Sequence, residues 1–378
     1  MKWINTKNNR PVRIKDIPEM AMEDLRAQII KTCRDGARVI SFFGMPRGSR
    51  TAVYAVLADD EASRLYLASA LVENHRRYPS ITPEVPQFHI FERELYEDTG
   101  IMPEGHPWLK GVRFGHERAN RENTMERYPF FSMQGEEVHE VAVGPIHAGV
   151  IEPGHFRFMC QGEDVHHLEI QLGYQHRGVE ALMVKNFRRS GIHLAESIAG
   201  DTVIGHACAY AGAIESLTGV EISRRAQSIR AIALEMERAA IHIGDLGAIA
   251  NDVAYLLGNA VFGVTRTLVI NTLLALTGSR FGRGLVREGG VVFDFTPELI
   301  KEFIEKLVKV YHDVNLMGEA MFEMASVLAR LDHTGAVDPA AARDMGLVGP
   351  AGRASGVDLD VRADHPFGIY RFYPVHKR

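Results

Sequence analysis

Cysteine is scarce in this sequence. Cys33, Cys160 and Cys208 are the only three in 378 residues, and they lie far apart. An odd, widely spaced set excludes a disulfide framework, and no four cysteines cluster as an iron–sulfur centre would require. Such sparse cysteine usage is typical of proteins in a reducing compartment.

An excess of one charge is also missing. Lys plus Arg number 43 and Asp plus Glu number 48, which gives a net charge of −5. A nearly balanced charge provides no general attraction to nucleic acid, and no local basic stripe replaces it, so we expect no nucleic-acid partner. The apolar share of 46% and charged share of 24% exclude a disordered chain.

Targeting and nucleotide-binding signals are lacking as well. The N-terminal stretch MKWINTKNNRPVRIKDIPEM carries charges throughout and has no apolar core, so no signal peptide is predicted. Residues 253–279 contain one charge, Arg266, whose insertion into a membrane would cost about 2.5–3.5 kcal/mol. We predict a buried helix pair broken around residues 258–263 and no transmembrane segment. No G-x-G-x-x-G follows a strand pattern, so we predict no flavin or nicotinamide site.

The N-terminal part, residues 1–125, mixes helical and strand patterns. Apolar periodicity predicts helices over residues 20–33 and 60–77. Short β-branched and aromatic runs predict strands over residues 37–43, 51–57 and 88–91. We therefore predict a small α+β domain over residues 1–125.

The rest of the chain, residues 126–378, has a different character. Residues 138–158 are rich in Gly, Pro and His, which favours extended chain and turns. Long Ala- and Gly-rich helices are then predicted over residues 192–217, 226–257, 261–276 and 297–331. The whole chain is thus predicted as α+β: a small α+β domain, then a mainly helical bundle with a β-rich entrance.

Histidines and carboxylates are densest in the entrance. Imidazole together with carboxylate suits zinc or iron. The spacing matches no metal motif, so no metal site is predicted from it. Eight of these side chains fall within a short stretch: His139, His147, Glu152, His155, His166, His167, His176 and Glu180.

Two phrases in the entrance resemble a known family. They are residues 144–147 (GPIH) with 152–158 (EPGHFRF), and residues 172–180 (LGYQHRGVE). Both resemble the large subunit shared by respiratory complex I, where it is the forty-nine-kilodalton subunit, and the membrane-bound nickel–iron hydrogenases. Further phrases of the same family are EMERAAIH at 235–242, TGSRFGRGLVREGGV at 277–291 and the ASG…DVR phrase at 354–362.

A second resemblance lies upstream. Residues 91–107 (FERELYEDTGIMPEGHP) resemble the closing motif of the thirty-kilodalton subunit of complex I. Both subunits in one chain, in this order, is the arrangement of the formate hydrogenlyase large subunit and its energy-converting relatives. The resemblance implies a domain like the thirty-kilodalton subunit over 1–125, and a C-terminally incomplete large-subunit-like domain over 126–378.

The thiolates of a nickel–iron centre are missing. In the family, four thiolates from two C-x-x-C pairs hold the metals, because soft sulfur suits that site. Alignment on His206 puts Ala199 and Thr202 at the positions of the first pair. The second pair would follow beyond Arg378. The resemblance therefore implies that this chain binds no nickel–iron centre and turns over no hydrogen, while Cys208 is expected to be a packed helix residue.

The resemblance also indicates where a cavity would lie. It would be lined by Ala199, Asp201, Thr202 and His206. In the complex I branch, this cavity binds a quinone headgroup, but the quinone-binding Tyr would fall near Ala199 and no Tyr is there. The missing Tyr weakens the case for a quinone but does not exclude one, because Asp201 and Thr202 keep the cavity polar. No other cofactor is expected on this chain.

Proton carriers are expected in the entrance. Glu152 and His155 could relay protons, and His147 and His155 are the candidates to face a quinone. Glu180 could pair with Arg177 and orient it; alternatively, His176, Arg177 and Glu180 form a structural network. Glu237 and Arg238 are expected to form a structural ion pair across helices.

Three functions remain open from the sequence. The first is a subunit of a membrane-associated energy-converting complex that couples electron transfer to ion translocation without its own nickel–iron site. The second is an NADH:quinone oxidoreductase-type quinone-binding subunit, and the third is a cofactor-free scaffold or assembly protein. The first implies an iron–sulfur small subunit and antiporter-like membrane subunits as partners, with clusters and any NAD on those partners. It also implies a peripheral location on the cytoplasmic face of the membrane.

Overall fold

The computed structural model describes residues 3–147 and 152–375. The chain forms two compact units. Unit 1 comprises Met1–Asn8, Val12–Gly178 and Asp338–Asp360, and unit 2 comprises Asn9–Pro11, Val179–Val337 and Val361–Arg378. The domain division predicted at residue 125 follows the two resemblances, whereas the compact units divide the chain at Gly178.

Unit 1 is built on a five-stranded sheet. Its elements are β1 (Ile4–Thr6), β2 (Glu19–Met20), α1 (Met22–Arg34), β3 (Arg38–Arg47), β4 (Arg50–Asp59), β5 (Arg64–Glu73) and α2 (His89–Thr99). The strands β1-β5-β4-β3 lie in this order and are antiparallel, and β2 pairs in parallel with β5. Helices α1 and α2 pack on this sheet and bury Leu25, Ile29, Phe42 and Leu57 between the layers.

Two predicted elements of unit 1 are wrong in type. Residues 60–77, predicted as a helix, contain strand β5, which pairs with β4 along its whole length. That pairing overrides the helical spacing of the apolar residues, because strand preference depends mainly on neighbours in the sheet. Residues 88–91, predicted as a strand, begin helix α2, since the run FHIF continues into the helix-favouring ERELYE.

A second, three-stranded sheet forms the entrance. It consists of β8 (Val138–Val143), β9 (His155–Gln161) and β10 (Asp164–Gln171), in the antiparallel order β10-β9-β8. This agrees with the predicted extended chain. Unit 1 also contains β6 (Arg77–Pro79), β7 (Met102–Glu104), α9 (Pro339–Asp344) and α10 (Gly349–Ala354).

Buried side chains of the family motif at residues 91–107 form hydrogen bonds with neighbouring loops of unit 1. Glu92 is fully buried and accepts hydrogen bonds from the hydroxyls of Tyr78, Ser80 and Thr82 and from two backbone N–H groups. Arg93 donates to two carbonyls, and Glu97 accepts from three N–H groups, all within residues 110–114. The motif thereby fixes the loop 110–114.

Unit 2 is a bundle of helices around its own apolar core. Its helices are α3 (Val179–Ala195), α4 (Val203–Thr218), α5 (Arg224–Asp252), α6 (Leu256–Thr277), α7 (Pro297–Glu323), α8 (Ala325–Leu331) and α11 (Val361–Asp364), with the short pair β11 (Val286–Arg287) and β12 (Gly290–Val291). At the α5–α6 contact, a Cβ on Gly247 would lie 3.4 Å from Phe262 Cβ, so small residues let the axes approach closely. Together the units have the predicted α+β organisation.

The helix boundaries of unit 2 differ from prediction at three points. Residues 192–217 are divided between α3 and α4 by a connection over residues 196–202. Helix α6 continues through residues 258–263, and the break lies earlier, where Ala254 has a φ of 61°. The long C-terminal helix is interrupted at Met324, between α7 and α8.

Helix α6 meets the length and composition expected of a membrane span. Its window has a mean hydropathy of 1.5, and 33% of that window is buried inside the chain. It packs along α5 and α7, and Arg266 lies near its middle. Among the described residues, no other helix meets the same criteria.

Candidate functional site

The predicted cavity segment connects α3 to α4. Residues 196–202 lie between these helices, and His206 follows in the first turns of α4. Thr202 is the N-cap of α4, but its side chain makes no capping hydrogen bond. The first N–H groups of α4 therefore need another acceptor, because a helix does not satisfy them internally.

That acceptor is Glu237, on α5. Its carboxylate is 5% exposed and accepts from the N–H of Ile204 at 2.6 Å and of Gly205 at 2.9 Å. Burial raises the pKa of Glu237 to about 7, since the backbone N–H groups that face it only partly compensate for lost hydration. The charge of Asp201 raises this pKa further. A carboxylate that changes charge near neutral pH thus holds the start of α4.

The other end of the segment is held by Glu196. This carboxylate is 3% exposed and accepts from the N–H of Gly284 at 2.8 Å and from Arg287 Nη1 at 3.2 Å. Both partners belong to the family phrase at residues 277–291. Two buried carboxylates, one at each end, therefore fix the connection that carries Ala199, Asp201 and Thr202.

The predicted ion pair between Glu237 and Arg238 is wrong. Consecutive residues on a helix point about 100° apart and do not face each other. Arg238 pairs instead with Glu235, which also accepts from Arg362 Nη1 at 3.0 Å and from the Tyr370 hydroxyl at 2.6 Å. Within unit 2, these contacts join the phrase at 235–242 to Arg362 and Tyr370.

His206 and Cys208 have no evident role as metal ligands. Burial lowers the pKa of His206, which favours the neutral imidazole. Burial raises the pKa of the Cys208 thiol to about 12, so the thiol is protonated at neutral pH and packs against the apolar core. A protonated, packed thiol is a poor ligand, because metals bind the thiolate.

The nickel–iron centre implied by the family does not fit these residues. The alignment on His206 that the resemblance implies places a methyl group at Ala199 and a hydroxyl at Thr202 where such a centre would need soft thiolates. Cys208, the nearest thiol along the chain, is half-buried in α4 and protonated at neutral pH. Across residues 3–147 and 152–375, no group of three or more His, Cys, Asp or Glu side chains is arranged to hold a metal ion.

The entrance histidines lie in unit 1. His155 has its Nδ1 at 3.3 Å from the carbonyl of Gly144, and its Nε2 at 3.4 Å from the Arg157 guanidinium, which donates to it. His147 has its Nδ1 at 3.3 Å from the Pro145 carbonyl, and its ring packs against Phe156. Glu152 is exposed, and residues 148–151 of the same loop lie outside the described part of the chain.

A small cleft beside this loop contains another predicted residue. The cleft has a volume of about 330 Å³, and His176 lines it together with Pro153 and Gly154. Its opposite wall includes Val112 and Arg113, from the loop that the motif at 91–107 fixes. The structure therefore brings His176 next to the loop of Glu152 and His155, and the upstream family motif shapes the cleft.

Arg177 and Glu180 belong to different units. Arg177 is exposed at the end of unit 1, and Glu180 is exposed in the first turn of α3 in unit 2. Their pairing stays a prediction. The predicted site side chains thus fall into two groups: His147, Glu152, His155 and His176 in unit 1, and Ala199, Asp201, Thr202 and His206 in unit 2.

Another cavity, in unit 2, is lined by none of the predicted site residues. It has a volume of about 610 Å³ and is bounded by the end of α4, the start of α5 and residues 367–372. At its wall, the largely buried Arg230 and Glu215 pair at 2.7 Å, and Glu215 also accepts from the N–H of Gly289. The contacts in this wall are structural.

Sequence reasoning missed Glu196 and gave Glu237 the wrong partner. Glu196 is the first residue of the connection, and Glu237 lies within the phrase EMER on α5. For Glu237, the available signal was an acidic side chain whose neighbours three and four positions away on the helix are apolar. Only the fold reveals that Glu237 reaches the start of another helix.

Comparisons with known proteins match the N-terminal and C-terminal parts of the chain to two different subunit families. Residues 19–124 match the family described as the respiratory-chain NADH dehydrogenase 30 Kd subunit, and residues 256–376 match the 49 Kd subunit. The chain is 30% identical over 346 residues to formate hydrogenlyase subunit 5 of Escherichia coli (strain K12), and the match covers 86% of this chain and 61% of that protein.

Further relatives come from both branches of the family. The membrane-bound hydrogenase subunit alpha of Pyrococcus furiosus is 33% identical, covering 61% of this chain and 54% of its own. The C/D subunit of the NADH-quinone oxidoreductase of Acinetobacter baumannii (strain AYE) is 27% identical, covering 86% and 60%. The chain thus spans about three fifths of the length of the curated relatives it matches.

A solved structure shares the fold. A chain of the membrane-bound sulfane sulfur reductase, an archaeal respiratory membrane complex, superposes with a TM-score of 0.58 at 24% identity, covering 62% of this chain and 63% of that chain. The two matched segments, the order of the motifs and the relatives all agree. The chain thus joins in one polypeptide a segment of the 30 Kd subunit family and a segment of the 49 Kd subunit family of the respiratory-chain NADH dehydrogenase, and it is similar to large subunits of membrane-bound hydrogenases.

Proposed function

We propose that the chain is a subunit of a membrane-associated energy-converting complex that couples electron transfer to ion translocation without a nickel–iron site of its own. The observation that carries this proposal is the cavity segment. Buried Glu196 and Glu237 hold residues 196–205 at both ends, yet Ala199 and Thr202 replace the thiolates. The two carboxylates support the segment, and the alignment on His206 places no thiolate in it.

The implied partners follow from the family. An iron–sulfur small subunit would supply the electron path, because the three scattered cysteines of this chain cannot hold a cluster. Antiporter-like membrane subunits would move the ion, and any NAD would bind to another subunit. The chain itself would be peripheral, on the cytoplasmic face of the membrane.

Within this complex, Glu152, His155 and His147 are the proposed proton carriers of the entrance. Glu152 is exposed and can exchange protons with water, and His155 follows three positions later. Arg157 occupies the His155 Nε2, so a relay through this ring requires the guanidinium to move. Replacing Glu152 with Gln removes the proton carrier at constant size. We expect it to abolish proton-coupled activity of the complex, and unchanged activity would exclude Glu152 from the relay.

Quinone binding is the second candidate. It is favoured by similarity to the C/D subunit of an NADH-quinone oxidoreductase and by the cleft that contains His176 beside the His155 loop. Quinone reduction needs a hydrogen-bond donor near each carbonyl. A short-chain quinone titrated against the purified chain should bind more weakly to a His176→Ala variant, if this candidate is correct.

Purification from native membranes tests the first proposal. The tagged chain would be recovered in mild detergent, and every co-purifying chain identified by mass spectrometry. Recovery with an iron–sulfur subunit and antiporter-like membrane subunits is the expected result. Recovery alone in the soluble fraction would contradict it and favour the third function, a cofactor-free scaffold or assembly protein.

A further inference from the structure

We propose that Glu237 is a proton-binding group whose occupancy is coupled to the position of the first turn of α4. Movement of the segment at residues 201–206 would then take up or release one proton inside unit 2. This inference rests on the proposed function, because it gives the chain a place where a change in the cavity becomes a change in proton binding.

The geometry makes the coupling direct. The Glu237 carboxylate accepts from the N–H groups of Ile204 and Gly205, and both bonds cross from α5 to α4. Thr202 does not cap α4, so Glu237 replaces the usual capping side chain from outside the helix. A shift of the first turn of α4 must stretch or break these two bonds.

Proton binding at Glu237 and the hydrogen bonds at the start of α4 affect each other in both directions. The N–H groups of Ile204 and Gly205, with that of Val203 beside them, favour the charged carboxylate, whereas burial disfavours it. Moving these donors away while Glu237 stays buried removes the stabilisation of the charge and makes the carboxylate bind a proton from water. By linkage, protonation of Glu237 weakens the same bonds and loosens the start of α4.

The surroundings do not neutralise Glu237. Asp201, just before α4, adds a like charge, and no salt-bridge partner of Glu237 occurs among the described residues. Cys208 is protonated at neutral pH, and Arg230 is engaged by Glu215. Beside Asp201, the titratable and charged groups on the elements packed against α5 are His206, Cys208, Tyr210 and Glu215 on α4, Arg266 on α6, and Tyr370 and Arg371 in residues 368–371.

Residue 205 offers a matched pair of variants. Gly205→Pro removes one of the two donating N–H groups, and proline is tolerated in the first turn of a helix. Gly205→Ala keeps that N–H and adds the same Cβ, which would lie 3.3 Å from Glu237 Oε1 and 3.2 Å from Thr202 Cγ2. The difference between the two variants therefore reports the loss of this N–H and its replacement by the Cδ and Cγ of the proline ring.

The test is a carboxyl titration of the full chain. The chain would be labelled with carboxyl-¹³C glutamate, its NMR signals followed through neutral pH, and the Glu237 signal assigned by its loss in Glu237→Gln. We expect a midpoint near neutral pH in the unaltered chain, and a midpoint about one pH unit higher in Gly205→Pro than in Gly205→Ala. A midpoint in the ordinary carboxylate range, or equal midpoints in the two variants, would overturn the inference.

An exposed position provides a variant that does not disturb packing. Asp201→Asn removes the neighbouring negative charge at an exposed site, so the Glu237 midpoint should fall by a few tenths of a pH unit. An unchanged midpoint would show that the two carboxylates do not interact. The titration needs no partner subunit. A neutral midpoint with no co-purifying complex would therefore contradict the proposed function alone, and a complex with an ordinary midpoint would contradict only this inference.

Discussion

Two buried carboxylates, one in each unit, differ in the number of donors that face them. Glu92 in unit 1 accepts from three hydroxyls and two N–H groups, all within 3.0 Å. Glu237 in unit 2 accepts hydrogen bonds from the N–H groups of Ile204 and Gly205. A buried carboxylate surrounded by donors is a structural anchor, whereas one with few donors keeps a proton within reach of neutral pH. The family motifs contain both kinds, so membership in a motif does not reveal which role a residue has.

The largest expected effect comes from removing the anchor of unit 1. Glu92→Ala leaves five buried donors without an acceptor and should lower the free energy of unfolding by about 3–5 kcal/mol. Chemical denaturation followed by circular dichroism measures this loss. Glu104→Ala is the matched control, because Glu104 pairs with Arg77 at the surface and should cost less than about 1 kcal/mol. Similar losses in the free energy of unfolding of the two variants would contradict the role of Glu92 as a buried anchor.

The next effect is a pH dependence of stability that Glu237 introduces. Burial raises the pKa of Glu237 from 4.5 to about 7, so the folded chain binds this proton more tightly than the unfolded chain. The resulting stabilisation is complete below about pH 4.5 and is lost as the pH rises through about 7, amounting to about 3 kcal/mol. In Glu237→Gln this component should disappear. Parallel pH profiles of the melting temperature in both proteins would refute the assignment.

The smallest expected effect comes from removing an ordinary helix cap, which serves as a comparison for Glu237. Ser223 caps α5 from its own N-cap position, and its Oγ accepts from the N–H of Ala226 at 3.2 Å. Ser223→Ala should lower the free energy of unfolding by about 1 kcal/mol, equally at every pH, because a hydroxyl does not titrate there. A pH-dependent loss in this variant would show that capping alone does not explain the behaviour of Glu237.

Much of the fold could be predicted from local patterns. The long Ala-rich helices α5 and α6 and the hairpin of β3 and β4 follow apolar periodicity and turn residues. Strand β5 could not be predicted, because its conformation is set by pairing with β4 rather than by its own spacing. The break before α6 depends on the backbone of Ala254, a residue that rarely marks a turn.

The candidate site was predictable only in part. Motifs predicted the entrance histidines and the segment at residues 196–202, and alignment on His206 predicted the missing thiolates; these assignments stay predictions. Glu196 was not predicted and Glu237 was given the wrong partner, because each accepts hydrogen bonds from residues more than 30 positions away along the chain. Long-range contacts of this kind leave no local pattern in a single sequence.

The nickel content of the chain purified from native membranes tests most directly whether it lacks a nickel–iron centre. We expect iron from partner clusters, no stoichiometric nickel and no hydrogen-dependent dye reduction, because Ala199 and Thr202 cannot act as thiolate ligands. One nickel per chain, with hydrogen-dependent dye reduction, would contradict it.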